Sequence, residues 1–258
     1  MNSDSLKEFK FTPEDFPHFS CIHPPKTDYD YTLGSVFVLD KPKGWTSFRA
    51  VGLLKKFTGI KKIGHAGTLD PMATGLLVLC TGKATKTISQ IQDGLKTYIA
   101  EVTFGAATAS YDAESEITDQ SDCRHITEEL IQKTLEETFL GQISQIPPMF
   151  SALKVQGRRL YTLARKGIEV ERKPRQITIH ANTLLSFNTE TQKAEIEVTC
   201  SKGTYIRTLA HDLGLTLGTH AHLTALRRTA SGTYSVDQAL SMEQLTHYFG
   251  MDGKVNLD

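Results

Sequence analysis

The 258-residue chain is predicted to adopt an α+β fold, a mixed and largely antiparallel sheet flanked by helices. Three observations carry that expectation. The segment KTYIAEVTFG alternates, with Tyr98, Ala100, Val102 and Phe104 on one face and Thr97, Ile99, Glu101 and Thr103 on the other. Other segments place apolar residues at helical spacing, as Phe48, Val51, Leu54 and Phe57 do. Strand and helix segments do not recur at the regular interval of βαβ units. Apolar residues at 39% and charged residues at 22% fit a globular chain and exclude a disordered or fibrous one.

Residues 1–33 are rich in polar residues, carry Pro24-Pro25 and show no sustained period, which predicts a poorly ordered or loosely packed extension. Regularity starts at Gly34 with the strand SVFVLD, followed by a helix that Thr46 and Ser47 cap. A glycine-rich loop leads into the buried strand GLLVLCTG, and 83–92 reads as helix. Thr127 caps an acidic-fronted helix reaching about Phe139. Residues 146–175 form a basic segment opened by Pro147-Pro148, with a short helix ending near Gly167. Strands follow at 177–185 and 193–200, then a turn at Ser201-Lys202-Gly203 and a helix at 205–217. A strand at 223–228 and a helix opened by the capping box Ser241-Met242-Glu243-Gln244 complete the order.

No stretch approaches the roughly 20 apolar residues of a membrane span, and the N-terminus lacks a secretion pattern. Cys21, Cys80, Cys123 and Cys200 are scattered, so a reduced, cytoplasmic protein is expected. GLLVLCTGK has six residues between its glycines and Ala84 where a phosphate-binding loop needs Ser or Thr. His211, Asp212, His220 and His222 match no metal-ligand spacing, and no dinucleotide fingerprint occurs. Basic and acidic residues cancel at 29 each, but they are segregated. Residues 41–69 hold seven bases and no acid; 151–180 hold eight bases against Glu169 and Glu171; 112–138 hold nine acids and two bases. Segregation of this kind makes one positive face able to follow a phosphate backbone, or merely solvated surface charge.

The loop GHAGTLDPMATG is the most unusual segment. Pro71 keeps Asp70 out of the helical region, on a stiff corner before a buried strand. That corner either aims a carboxylate or is an ordinary turn aspartate. Further on, SKGTYIRT places Tyr205 and Arg207 two apart, on one face if extended geometry persists, and Arg207 could keep a partly dry aspartate ionised.

Taken together, VLDKPKGWTS, GHAGTLDPMATGLLVLCTGKATK, KTYIAEVTFG, IPPMFSALKVQGRRLYTLARKGIEV, CSKGTYIRTLAHDLG and AHLTALRRTASG resemble the bacterial tRNA pseudouridine-55 synthase family of the TruB type, in order, over residues 34–245. The resemblance implies a pseudouridine synthase fold and isomerisation of uridine 55 in the T loop of tRNA. Base flipping and glycosidic cleavage precede C5–C1′ rejoining, with neither metal nor organic cofactor. It makes Asp70 the catalytic carboxylate, acting by covalent attack or through a glycal, with Arg207 as its partner. Tyr98 becomes the stacking tyrosine, with an ordinary core tyrosine as the alternative. His65 becomes an RNA contact at the vacated position, Tyr205 and Leu226 line the uracil pocket, and Lys96 is a further RNA-contact candidate. Residues 146–175, including Arg158 and Arg159, correspond to a clamp over the T arm inside a catalytic domain spanning 34–248. The tail 249–258 is too short for the small C-terminal RNA-binding (PUA) domain of many members. The expected partner is tRNA, with no membrane and no obligate protein partner. The competing reading is an RNA-binding or tRNA-folding module with little catalysis.

Overall fold

In the computed structural model, which describes residues 10–155 and 157–255, the chain divides into two units. One is Met1–Gly94 with Arg228–Asp258; the other is Leu95–Arg227. The division falls inside a strand, Ala221–Ser231.

The first unit begins with β1 (His18–Phe19), β2 (Ser35–Lys41), α1 (Ser47–Thr58), β3 (Ile63–His65), β4 (Thr74–Thr81) and α2 (Ile88–Asp93). The two continuous apolar runs become β2 and β4, paired antiparallel from Ser35↔Thr81 to Lys41↔Gly75. Both faces of the pair are covered, which is why neither strand alternates. Val36, Val38, Leu76, Val78 and Cys80 pack with Phe16, Ile91 and Tyr234, while Phe37, Leu39, Leu77 and Leu79 are equally buried. Burial of each such side chain stabilises by about 1.5–3 kcal/mol.

One expectation is corrected here. Residues 10–33 are not a loose arm: β1 pairs parallel with β2, and Phe16, Phe19 and Tyr31 are buried, with Phe19 and Tyr31 against Phe37. Aromatic residues without a period were enough to anchor it; residues 1–9 lie outside the described residues. The stretch 83–92 is helical as read, with a 3-10 helix over Gly82–Thr87 leading into α2.

The second unit comprises β5 (Lys96–Phe104), β6 (Ala106–Thr108), β7 (Ile117–Gln120), α3 (Glu128–Thr138), β8 (Gly141–Gln145), β9 (Lys154–Val155), β10 (Arg158–Arg159), α4 (Leu160–Ala164), β11 (Arg175–Asn188), β12 (Lys193–Cys200), α5 (Ile206–Thr216) and most of β13 (Ala221–Ser231). Its sheet runs β13-β5-β12-β11-β8, with β5, β12, β11 and β8 antiparallel. The alternation of β5 is realised: Ala100, Val102 and Phe104 are buried, and Ile196 and Val198 of β12 join them beneath Leu209 and Leu213 of α5. Thr127 accepts from Leu130 N at the start of α3, as its capping role requires.

The chain then returns to the first unit through β14 (Tyr234–Ser235), which pairs with the end of β13, and α6 (Met242–Tyr248), which keeps its capping box. β1 pairs parallel with β2, while β2–β4, β5–β12, β12–β11, β11–β8 and β13–β14 pair antiparallel, and helices flank them, so the predicted fold class holds.

One glycine in the first unit is fixed by close approach. Gly75 has φ +98, and an added Cβ would lie 2.3 Å from the carbonyl oxygen of Arg228. Gly75→Ala combines a backbone clash with a left-handed conformation, and is expected to destabilise by roughly 2–4 kcal/mol. Thermal unfolding checks this; an unchanged melting temperature would mean the facing strand steps aside freely.

Candidate active site

Asp70 stands on a corner whose backbone is held on each side. The turn closes through Ala73 N to Asp70 O at 3.1 Å, with Pro71 at its second position, where its fixed φ is preorganised. Before the corner, Ser47 Oγ accepts from Leu69 N at 2.9 Å and donates to Leu69 O at 3.2 Å. After it, the Pro71 carbonyl accepts from Gly44 N at 2.8 Å and from Lys41 Nζ at 3.4 Å. Lys41 is fully buried, and its Nζ also donates to the carbonyls of Trp45 (2.6 Å) and Pro42 (2.9 Å). The side chains of Leu69, Met72 and Ala73 are buried, while Asp70 itself is half-buried. The turn is closed by main-chain atoms, so the carboxylate is not needed to close it.

The other end of the loop is tied by a second buried cation. Arg228, 1% exposed, donates from Nε to Leu76 O at 2.7 Å and from Nη2 to Gly67 O at 3.3 Å. His65 ends β3, opposite Leu79. Burial, and secondarily the charge of Arg228, hold its imidazole below the ordinary pKa, so it is neutral at pH 7. Its ring meets Phe48 edge to face, centroids 5.6 Å apart.

The remaining predicted residues lie in the second unit. Tyr98 begins the apolar face of β5 opposite Val198 but is only half-buried, unlike Ala100 and Val102 farther along. Leu226 sits on β13, 9% exposed. Lys96 is buried opposite Cys200, not displayed on open surface, and burial pushes the Cys200 thiol up to about 11.

Tyr205 and Arg207 do not share a strand face. Tyr205 is the extended N-cap of α5, and Arg207 already lies in its first turn. The Tyr205 side chain makes no cap; Gln145 instead accepts from Tyr205 N at 2.8 Å and donates to Tyr205 O at 3.0 Å. This reciprocal amide pair fixes where the tyrosine leaves the backbone. Arg207 is 4% exposed and donates to Ser110 O (3.0 Å) and Phe150 O (2.8 Å), with Asp112 Oδ2 3.4 Å from Nη1.

Asp112 escaped sequence reading because it falls in the acidic run 112–138, yet it is 1% exposed. Its Oδ1 accepts from Ser110 Oγ and Glu114 N. The preceding Tyr111 has φ 63, and its ring stacks on His211 with centroids 3.9 Å apart. A non-glycine residue in that region costs on the order of 1 kcal/mol or more and persists only where neighbours enforce it. No local signal announces Gln145 or Arg228, whose partners are far along the chain, and Lys41 and Asp112 combine near neighbours with distant partners, Pro71 and Arg207.

Arg158 is exposed in the hairpin β9–β10 of the basic segment, which Arg172 braces through Pro147 O (3.2 Å) and Glu169 (3.1 Å). The side chain of Arg159 lies outside the described residues. Among the described residues no cluster of three His, Cys, Asp or Glu could hold a metal, and no helix is long and apolar enough to cross a membrane.

Comparison with known proteins bears on this arrangement. The chain is 51% identical over 217 residues to the tRNA pseudouridine synthase B of Bacteroides fragilis, covering 82% of this chain and 92% of that protein. It is 49% identical over 214 residues to the tRNA pseudouridine synthase B of Bordetella pertussis, covering 83% and 87%. Among solved structures, a Cbf5-Nop10-Gar1 complex superposes with a TM-score of 0.66 at 28% identity, covering 95% of this chain and 63% of that one. An H/ACA RNP bound to a substrate RNA containing 2′-deoxyuridine gives 0.63 at 26% identity, covering 97% and 64%. The chain thus spans less than two thirds of either solved chain. Residues 207–255 match the tRNA pseudouridylate synthase B C-terminal domain. Residues 55–206, which carry the pinned Asp70 corner and Tyr98, match the TruB family pseudouridylate synthase N-terminal domain, and the chain belongs to that family.

Proposed function

We propose that this chain converts uridine 55 in the T loop of tRNA to pseudouridine, with Asp70 as the catalytic carboxylate. The observation that carries the reading is the Asp70 corner, held on both sides by main-chain contacts, in a chain of the TruB family. The reaction is an isomerisation. The N1–C1′ bond breaks, the uracil turns over, C5 bonds to C1′, the C5 proton leaves and N1 gains one. Asp70 either attacks the nucleoside covalently or removes the C2′ proton to give a glycal; both need it ionised.

Arg207 is the cation we assign to that task, in agreement with its match to the family motif. Its own ion-pair partner, Asp112, then acts as a positioning residue that keeps the guanidinium oriented. A stacked or paired base must be flipped out at a cost of a few kcal/mol. Tyr98 offsets part of this by stacking, while Tyr205 and Leu226 line the pocket. His65, neutral and aromatic, suits the space the uridine leaves. The basic segment 146–175 closes on the T arm, and no obligate protein partner is needed. Cytoplasmic location follows from the substrate.

Three measurements test this. Tritium release from tRNA labelled at uridine C5 is expected with wild type on transcripts containing uridine 55, and is expected to vanish in Asp70→Asn. If Asp70→Asn retained full effect in cells, the chain would be an RNA-binding or tRNA-folding module instead. Asp112→Asn removes the charge facing buried Arg207, so the unfolding free energy is expected to fall by roughly 2–4 kcal/mol. Turnover should fall at least about tenfold, more than RNA affinity does; equal losses in both would deny Asp112 a positioning role. Arg158→Ala is expected to lower the slope of log affinity against log salt by about 0.7–0.9, the value for one phosphate contact. An unaltered slope removes Arg158 from the interface.

A further inference from the structure

Phe48 falls on the apolar period of α1 and yet is not buried. Helix α1 buries Ala50, Val51, Leu53 and Leu54, and the capping Thr46 starts it one residue before Ser47, whose hydroxyl turns inward to Leu69. Phe48 is left 66% exposed, the most exposed large apolar side chain among the described residues. Its ring is not unsupported, since it stands perpendicular to the ring of His65, at an interplanar angle of 87°. The two rings therefore make a right-angled aromatic corner on the surface of the first unit.

The segment that carries that corner is cationic. Lys43, Lys55, Lys56, Lys61 and Lys62 are exposed, and no acid occurs in 41–69. Arg49 lies with its guanidinium 4.0 Å over the ring of buried Trp45. A polyanion is the complement of such a face. Phe48 has no hydrogen-bonding group to offer a phosphate, so the part of a polyanion that suits it is apolar and planar. An unpaired nucleobase is that part. One exposed ring is too small a patch for a protein–protein interface of ordinary apolar area.

We infer that Phe48 is a second stacking residue for RNA, and that the Phe48–His65 corner takes an unpaired base of the T loop neighbouring the target uridine. The inference rests on the proposed function and deepens it, adding a subsite beside the reacting nucleotide. A base stacked there would help hold the loop open while the target is flipped. It contributes by contact area and π overlap, not by charge, so its signature differs from that of the lysines around it.

The test is binding of a T-arm stem-loop RNA to the full chain and to Phe48→Ala, Phe48→Leu and Phe48→Tyr, by fluorescence anisotropy over a range of salt. Circular dichroism checks that each variant is folded. Phe48→Ala and Phe48→Leu are expected to weaken binding about tenfold, within the roughly 5- to 150-fold range of base–aromatic stacking. Phe48→Tyr should stay within about twofold, and the salt slope should not change, since stacking releases no counterion. In loop RNAs carrying one abasic nucleotide, a single position should cost the wild type about tenfold and Phe48→Ala almost nothing. Wild-type affinity in Phe48→Ala, no loss in Phe48→Leu, or additive effects at every abasic position would each overturn the inference. So would loss of self-association in Phe48→Ala with RNA binding intact, which would make the ring a contact between copies. A wild type that binds the stem-loop but forms no pseudouridine defeats the proposed function itself, whereas pseudouridine formation with Phe48→Ala unaffected defeats only this subsite.

Discussion

The corner at Asp70 depends on the placement of a few backbone carbonyls against cations that the fold has taken out of water. Lys41 and Arg228 are both essentially buried, and each places its donors on main-chain oxygens of the loop or the strand beside it. Burying a charge is costly unless hydrogen bonds replace the lost water. Once they do, the contacts are charge-assisted, and the shortest of them, Lys41 to Trp45 O at 2.6 Å and Arg228 to Leu76 O at 2.7 Å, resist distortion more than neutral ones. A loop of three glycines would otherwise be among the most pliable parts of the molecule. Here Ser47, Gly44, Lys41 and Arg228 hold Leu69, Pro71 and Gly67, so the carboxylate projects from a fixed base.

The second unit solves the same problem with different groups. Gln145 grips both polar atoms of the Tyr205 peptide, and Ser110, Phe150 and Asp112 surround Arg207. The strained Tyr111 lies between Ser110 and Asp112, so its backbone sets how the carbonyl of one and the carboxylate of the other converge on the guanidinium. Its ring, stacked on His211, and its carbonyl, bonded to Leu223 N, keep it in that conformation. Strain at this position is thus coupled to the orientation of the Arg207 guanidinium, and strain of this kind clusters at functional sites.

Much of the fold was legible because its signals are local. The cap at Thr46, the alternation of 96–104, the cap at Thr127 and the box at Ser241 each depend on residues within one turn or strand. Asp70 was legible as a stiff corner, and the role proposed for it came from motifs long enough to resemble a family. What escaped depends on distant partners. The arm at 10–33 is held by Phe37, a contact no period encodes. The helix read over 205–217 starts at Ile206, so the extended geometry that would put Tyr205 and Arg207 on one face does not persist through Arg207. Phe48 fits the apolar period of α1 by sequence, but the helix starts at Ser47 with that hydroxyl facing in, and the neighbouring ring faces out.

Charge shows most sharply why counting residues differs from reading surfaces. Four basic residues, Lys41, Lys96, Arg207 and Arg228, are no more than 6% exposed, and at least three of them serve carbonyls or a carboxylate. On the acidic side, Asp112 is withdrawn in the same way. The run 41–69 therefore loses its first member from the surface, and the five exposed lysines that remain flank the aromatic corner of Phe48 and His65 in sequence. Withdrawn cations set the geometry of the loop, and displayed ones set the salt dependence of binding. A protein with no net charge can follow a polyanion on this division, because attraction acts over about a Debye length and is governed by what one face displays. Neutralising the exposed lysines should weaken association without moving the carboxylate, whereas disturbing Lys41 should move the carboxylate without altering the charge that the RNA meets.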